Sequence, residues 1–163
     1  MPTLENLNRL TASAAEAQLL SCCASRRWAL RVAAGRPYAD GVALLTAADA
    51  AWDHATDQDV LEALGAHPRI GERDGGGEQE HREQATAAAT ADDATAVALR
   101  EGNREYEERF GHIYLVAASG RSAPELLADL RSRLGNDAAT ELRVAAGQQR
   151  AITRLRLERL LQA

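Results

Sequence analysis

Apolar residues recur along this chain at helical rather than strand spacing, and the stretches they mark begin at residues that cap helices. Ser13 opens "SAAE", a capping box closed by Glu16 ahead of Ala17, Leu19 and Leu20. Ser25 precedes a stretch carrying Trp28, Leu30 and Val32, which Gly35 ends. Asp40 opens "GVALLTAADAAWDHA", and Asp57 opens "QDVLEAL", stopped by Gly65. A helix resumes near Gln79 through "HREQATAAAT", and another covers "DATAVALREGNREYEERF" up to Gly111. Ser122 and Glu125 form a second capping box, for a helix that runs to Leu134 and stops at Gly135. The last segment, from Asp137, reads as one long amphipathic helix with Ile152, Leu155 and Leu160 on one side and arginines interleaved. Only "HIYLVAAS" is apolar without helical period. A lone strand would have no partner, so this stretch is read as a buried extended link or a helix start.

Composition sharpens this picture. Hydrophobic residues make up 45% of the 163 residues, much of it alanine, and aromatics only 4%. Small apolar side chains suit closely packed helices better than sheets. The expectation is an all-α bundle of about eight helices in a single domain over residues 1–163. All 19 basic residues are arginine, yet the net charge is −5, which gives no general attraction to nucleic acid. No apolar run approaches the roughly 20 residues that span a bilayer, and the first residues, "MPTLENLNRLTAS", lack the apolar core of a signal peptide. A cytoplasmic protein that binds neither nucleic acid nor membrane is expected. Cys22 and Cys23 are adjacent, too close to bridge each other, and are expected reduced and buried.

Four features could carry chemistry. His67 lies just past a helix end, held by Pro68 beside the glycine run "RDGGGE". A loop histidine is more often structural than catalytic, but a positioned imidazole titrates near neutral pH and can move a proton. In "EHREQ", Glu80 and Gln84 share a helix face, with Glu83 beside them. This is either a solvated polar turn or a set that pairs a carboxylate with His67 and offers the Gln84 amide to a ligand. The extended stretch of "RFGHIYLVAASGRS" leaves backbone N–H and C=O groups that no helix consumes, usable by a small amide-rich ligand or hidden in a connector. Arg156, set between apolar neighbours in "ITRLRL", needs an anionic partner, either a protein carboxylate or a substrate. Metal binding is not expected: His54, His67, His81 and His112 show no metal-site spacing, and "CC" is not C-x-x-C. Neither a P-loop nor a nucleophile elbow is present.

Taken together, "LLSCCASRRWA" with "RPY", "LEALGAHPRIGE", "REQATA", "NREYEERFGHIYLVAASGRSAPELLADLRSRLGND" and "TELRVAAGQQRAITRLRLERL" resemble the 2-oxo-4-hydroxy-4-carboxy-5-ureidoimidazoline (OHCU) decarboxylase family, in order and over nearly the whole chain. The resemblance implies an all-α enzyme of urate breakdown that releases CO₂ from a ureidoimidazoline to give (S)-allantoin without a cofactor or metal. It implies that His67 is the catalytic acid, with Glu83 the glutamate and Gln84 the glutamine of the family's EQ pair. Pro68, then Glu80, His81 and Arg82, the backbone of Tyr114, Leu115, Val116, Ala117 and Ala118, and Arg156 fall at substrate-binding positions. A homodimer is compatible with the family. Three positions depart from its pattern: Glu80 and His81 stand where a serine is common before EQ, and His112 replaces the usual aromatic after "FG". Two readings of other classes are a helical interaction module without activity and a nucleic-acid-binding domain using the C-terminal arginines.

Overall fold

Ten α-helices and no strand are present among the described residues, which in this computed structural model are 3–72 and 76–162. In chain order they are α1 (Leu4–Arg9), α2 (Ala12–Leu20), α3 (Arg26–Ala34), α4 (Gly41–Asp53), α5 (Asp57–Leu64), α6 (Glu78–Glu83), α7 (Ala85–Thr90), α8 (Asp93–Phe110), α9 (Ala123–Arg133) and α10 (Ala138–Gln162). The all-α class is as expected, with two more helices than the eight read from the pattern. One is α1, which is too short to show a period. The other arises because "HREQATAAAT" is interrupted at Gln84.

Caps account for most of the boundaries. The side chains of Ser25, Asp40 and Ser122 accept from the N–H groups of Trp28, Ala43 and Glu125, as the sequence suggests. Two caps differ. Thr11, not Ser13, caps α2, accepting from Ala14 N–H at 3.2 Å, so Ser13 lies inside the helix. The cap of α5 is Thr56 rather than Asp57. Its hydroxyl accepts from Asp59 N–H while the Asp59 carboxylate accepts from Thr56 N–H, a reciprocal box that holds the Asp59 carboxyl below its usual range. Gly111 ends α8 at φ 77°, a left-handed turn that glycine adopts without strain.

The chain forms two compact units: one runs to Ala63 and takes up the chain again from Gln149, and the other comprises Leu64–Gln148. In the first, α2 packs on α3 and α3 on α4. Its interior holds Leu19, Trp28, Leu44 and Leu157, and the Trp28 indole N–H donates to the Ala48 carbonyl at 3.0 Å. Along the last half of α10 the buried positions are Gln149, Ile152, Thr153, Arg156, Leu157 and Leu160, whereas Leu155, expected among them, is 37% exposed. Cys22 and Cys23 are buried thiols rather than a disulfide, and burial pushes the Cys23 thiol up to about 11.

In the second unit, α8 and α7 pack against α9. Its core gathers Ile70, Leu99, Tyr106, Tyr114, Val116, Leu126 and Leu130. Residues 113–118 are neither helix nor strand, and Tyr114, Leu115, Val116 and Ala118 are buried. "HIYLVAAS" is therefore the extended link, not a helix start.

Candidate functional site

His67 and Pro68 are half-buried at the end of α5, where His67 N–H donates back to the Leu64 carbonyl at 3.2 Å. Three contacts fix the turn that follows. Arg69 Nε donates to both carboxylate oxygens of Glu107 on α8, each at 3.0 Å, and the same guanidinium reaches Glu72. Those bonds hold the Arg69 guanidinium above its ordinary pKa. The buried Asn103 donates from Nδ2 to the Ile70 carbonyl at 3.0 Å. Gly71 N–H donates to Gln84 Oε1 at 3.1 Å.

That last bond joins "HPRIG" to "EQ". It also orients the Gln84 amide: its oxygen accepts from backbone, and its NH₂ is the donor end. Gly76 sits close to both Pro68 and Glu80. A Cβ placed on Gly76 would lie 2.8 Å from Pro68 Cγ and 2.9 Å from Glu80 Cβ, so bare backbone separates these two side chains. Arg73, Asp74 and Gly75, the first half of the glycine run, lie outside the described residues.

The segment before EQ divides by role. The Glu80 carboxylate accepts from Gly77 N–H at 2.8 Å and so caps its own helix. Arg82 is exposed and pairs with Glu78 across one turn, as a solvated face would. Glu83 ends α6, half-buried. His81 and Gln84 line a cavity of about 670 Å³ walled by α7 and α8 residues such as Ala87, Ala88 and Ala96, with Arg100 and Glu72 at its edge. The volume is in the range of small-molecule pockets, roughly 300–1,000 Å³. His67, Pro68, Glu80, Arg82, Glu83 and residues 114–118 are not part of its lining.

Residues 114–118 are held by two side chains and a backbone turn in place of secondary structure. Leu115 C=O accepts from Arg133 Nη1 at 2.6 Å, Ala117 N–H donates to Gln148 Oε1 at 2.9 Å, and Ala118 C=O accepts from Arg121 N–H at 3.0 Å. The Tyr114 hydroxyl donates to Asp129, and burial together with that bond raises its pKa. The Ala117 N–H is thus engaged by Gln148. Arg156 belongs to the first unit, where it is buried and donates to the Ser21 carbonyl at 3.4 Å.

Sequence reasoning missed the groups beneath this stretch. Buried Arg133, Glu141 and Tyr106 form a polar cluster with half-buried Asn136, in which Arg133 Nε donates to Glu141 at 2.6 Å, Asn136 donates to it at 3.0 Å and the Tyr106 hydroxyl donates to it as well. The available signal was the position of Arg133 in "PELLADLRSRL": it follows Leu126 and Leu130 on the buried face of α9.

Among the described residues no group of His, Cys, Asp and Glu side chains could hold a metal ion, and no helix is long and apolar enough to cross a membrane. An all-helical unit with a histidine–proline turn pinned to a glutamate–glutamine pair defines a recognisable class, and it has known members. The chain belongs to the OHCU decarboxylase family, whose model matches residues 8–158. It resembles a crystal structure of OHCU decarboxylase in the presence of (S)-allantoin, with a TM-score of 0.82 and 33% identity over 90% of this chain and 98% of that one. It is 34% identical over 145 residues to the uric acid degradation bifunctional protein TTL of Arabidopsis thaliana, covering 85% of this chain but 45% of that protein. The chain thus spans less than half the length of that plant relative. It is also 28% identical over 128 residues to 2-oxo-4-hydroxy-4-carboxy-5-ureidoimidazoline decarboxylase of Haloferax volcanii, covering 78% of this chain and 76% of that one.

Proposed function

We propose that this chain decarboxylates OHCU to (S)-allantoin in urate breakdown, using its own side chains and backbone. The observation that carries the reading is the bond from Gly71 N–H to Gln84 Oε1, which couples the turn bearing His67 to the pair Glu83–Gln84 in a chain of this family.

The chemistry suits such groups. When the C–CO₂ bond breaks, its electron pair stays on the ring carbon and is absorbed by the adjacent C=N and carbonyl. The protein then has to hold the ring, stabilise that charge and deliver one proton to one face. His67 supplies the proton, and Glu83 orients the imidazole. The Gln84 NH₂ reads a carbonyl oxygen of the ureido group or ring. Pro68 lines the substrate, the segment Glu80–Arg82 shapes the approach, and backbone of Tyr114–Ala118 meets the ring amides. Ala117 N–H is engaged by Gln148, so the substrate oxygen is met by another N–H of this segment. The family pattern further assigns Arg156 the substrate's anionic oxygens. The same reading takes the protein to be a cytoplasmic homodimer without nucleic-acid or membrane partners, which sedimentation of the purified protein checks for the dimer.

The test is circular dichroism of allantoin formed from urate by the upstream enzymes, with and without this protein. The substrate decays spontaneously to racemic product, so chirality and not disappearance is the readout. Optically active (S)-allantoin only in the presence of the protein is expected. A racemic product at the uncatalysed rate would overturn the proposal.

A further inference from the structure

The extended segment 113–118 has no helix or sheet to fix it, yet it is held from below by one buried cation. Arg133 is 5% exposed and reaches the segment with Nη1, donating to the Leu115 carbonyl at 2.6 Å. Its Nε and Nη2 face Glu141, which is fully buried. Its guanidinium carbon lies 4.7 Å from the Tyr114 ring centroid and 5.8 Å from that of Tyr106. Asp129 adds a second carboxylate at 3.6 Å and also takes the Tyr114 hydroxyl. Glu141 in turn is fixed by Tyr106 and Asn136.

A charge pair in this position is an expensive way to fill a core. Apolar residues of similar volume do that job as well or better, whereas a planar fork held on two edges defines one geometry. Here the fork has one edge on Glu141 and the other on a single carbonyl of the segment that meets the substrate. That carbonyl fixes the plane of the Leu115–Val116 peptide, and through it the direction of the groups up to Ala118. Gln148 and Arg121 then hold the far end.

We infer that Arg133, braced by Glu141, is a positioning residue for decarboxylation: it sets the substrate-facing backbone of Leu115–Ala118 without touching substrate. The inference rests on the function proposed above for that segment. An error of about 1 Å in a substrate-positioning group can cost on the order of 10²-fold in rate. It should appear in kcat and in the chirality of the product more than in KM.

Two variants test it. Arg133→Lys keeps the charge but cannot fork between Glu141 and Leu115. Arg133→Met with Glu141→Gln removes both charges, so no unpaired ion is left buried and Tyr106 keeps an acceptor. In each folded variant, kcat is expected to fall roughly 10²-fold with KM changed far less, and the enantiomeric excess of allantoin to drop. Amide exchange of Leu115–Ala118, read by mass spectrometry without substrate, is expected to rise about tenfold or more while α8 keeps its protection. Wild-type exchange in this segment in Arg133→Lys would overturn the positioning role whatever the protein catalyses. Wild-type kcat and enantiomeric excess in either variant would also overturn it, against a wild-type enzyme that makes (S)-allantoin. If the wild type makes none, the proposed function fails, and the exchange result still decides whether Arg133 fixes the segment.

Discussion

Two regions of the second unit are built on opposite terms. The turn at His67–Gly71 is pinned from outside by a half-exposed arginine, one buried asparagine and a glutamine. The segment at Tyr114–Ala118 is pinned from inside by a buried ion pair and two tyrosines whose hydroxyls end on carboxylates. The first arrangement leaves side chains with access to solvent and to protons. The second leaves only backbone to offer, and fixes it in one geometry. On the proposed function, the group that changes protonation is placed where charge is cheap, and the backbone that must stay still is tied to a buried ion pair.

The contrast can be broken in four places. The largest effect is expected for His67→Asn, which removes the proposed acid from the exposed side. Stereoselective turnover should drop by about 10²–10⁴ while the melting temperature stays near wild type. Full activity on fresh substrate would remove His67 from the chemistry. Glu141→Leu attacks the buried side by stranding Arg133 without its main partner, and a loss of roughly 3–5 kcal/mol in urea unfolding is expected. A loss under 1 kcal/mol would show that this side is no more tightly held than the other. Gln84→Leu comes next, since one neutral hydrogen bond worth about 1 kcal/mol to the turn disappears together with the donor proposed for substrate. A several-fold rise in KM with modest destabilisation is the expected mix, and unchanged KM would confine Gln84 to the turn. Arg69→Gln should do least, about 0.2–1 kcal/mol, because Arg69 is half-exposed. That loss should shrink at about 1 M salt, where charges are screened beyond about 3 Å.

How much of this was legible in the chain follows the range of the interactions. Ser25, Asp40, Ser122 and Gly111 act on residues at most four positions away, and they cap or stop helices where the sequence places them. Thr11 and Ser13 are both acceptable caps, and nothing local distinguishes them. The break at Gln84 has no glycine or proline to announce it; it coincides with a hydrogen bond to Gly71, thirteen residues earlier. Leu155 was misplaced for a related reason. The stripe of α10 is completed by Gln149, Thr153 and Arg156, and a pattern sought in apolar residues steps over them. The motif residues His67, Glu83 and Gln84 stood out through family resemblance. Arg133 and Glu141 lie eight positions apart on different helices, and their pairing shows only once α9 and α10 are in place.

Gly76 has one consequence for variation in this loop. Its φ of 82° already disfavours most side chains, and a Cβ there would lie 2.8 Å from Pro68 Cγ and 2.9 Å from Glu80 Cβ, which excludes the rest. Gly77, one step on, would give an added methyl group 3.2 Å from a single carboxylate oxygen that can swing aside. A saturation library across these two codons should therefore return a diverse set of residues at one and only glycine at its neighbour, marking where the lineage is free to drift and where it is held.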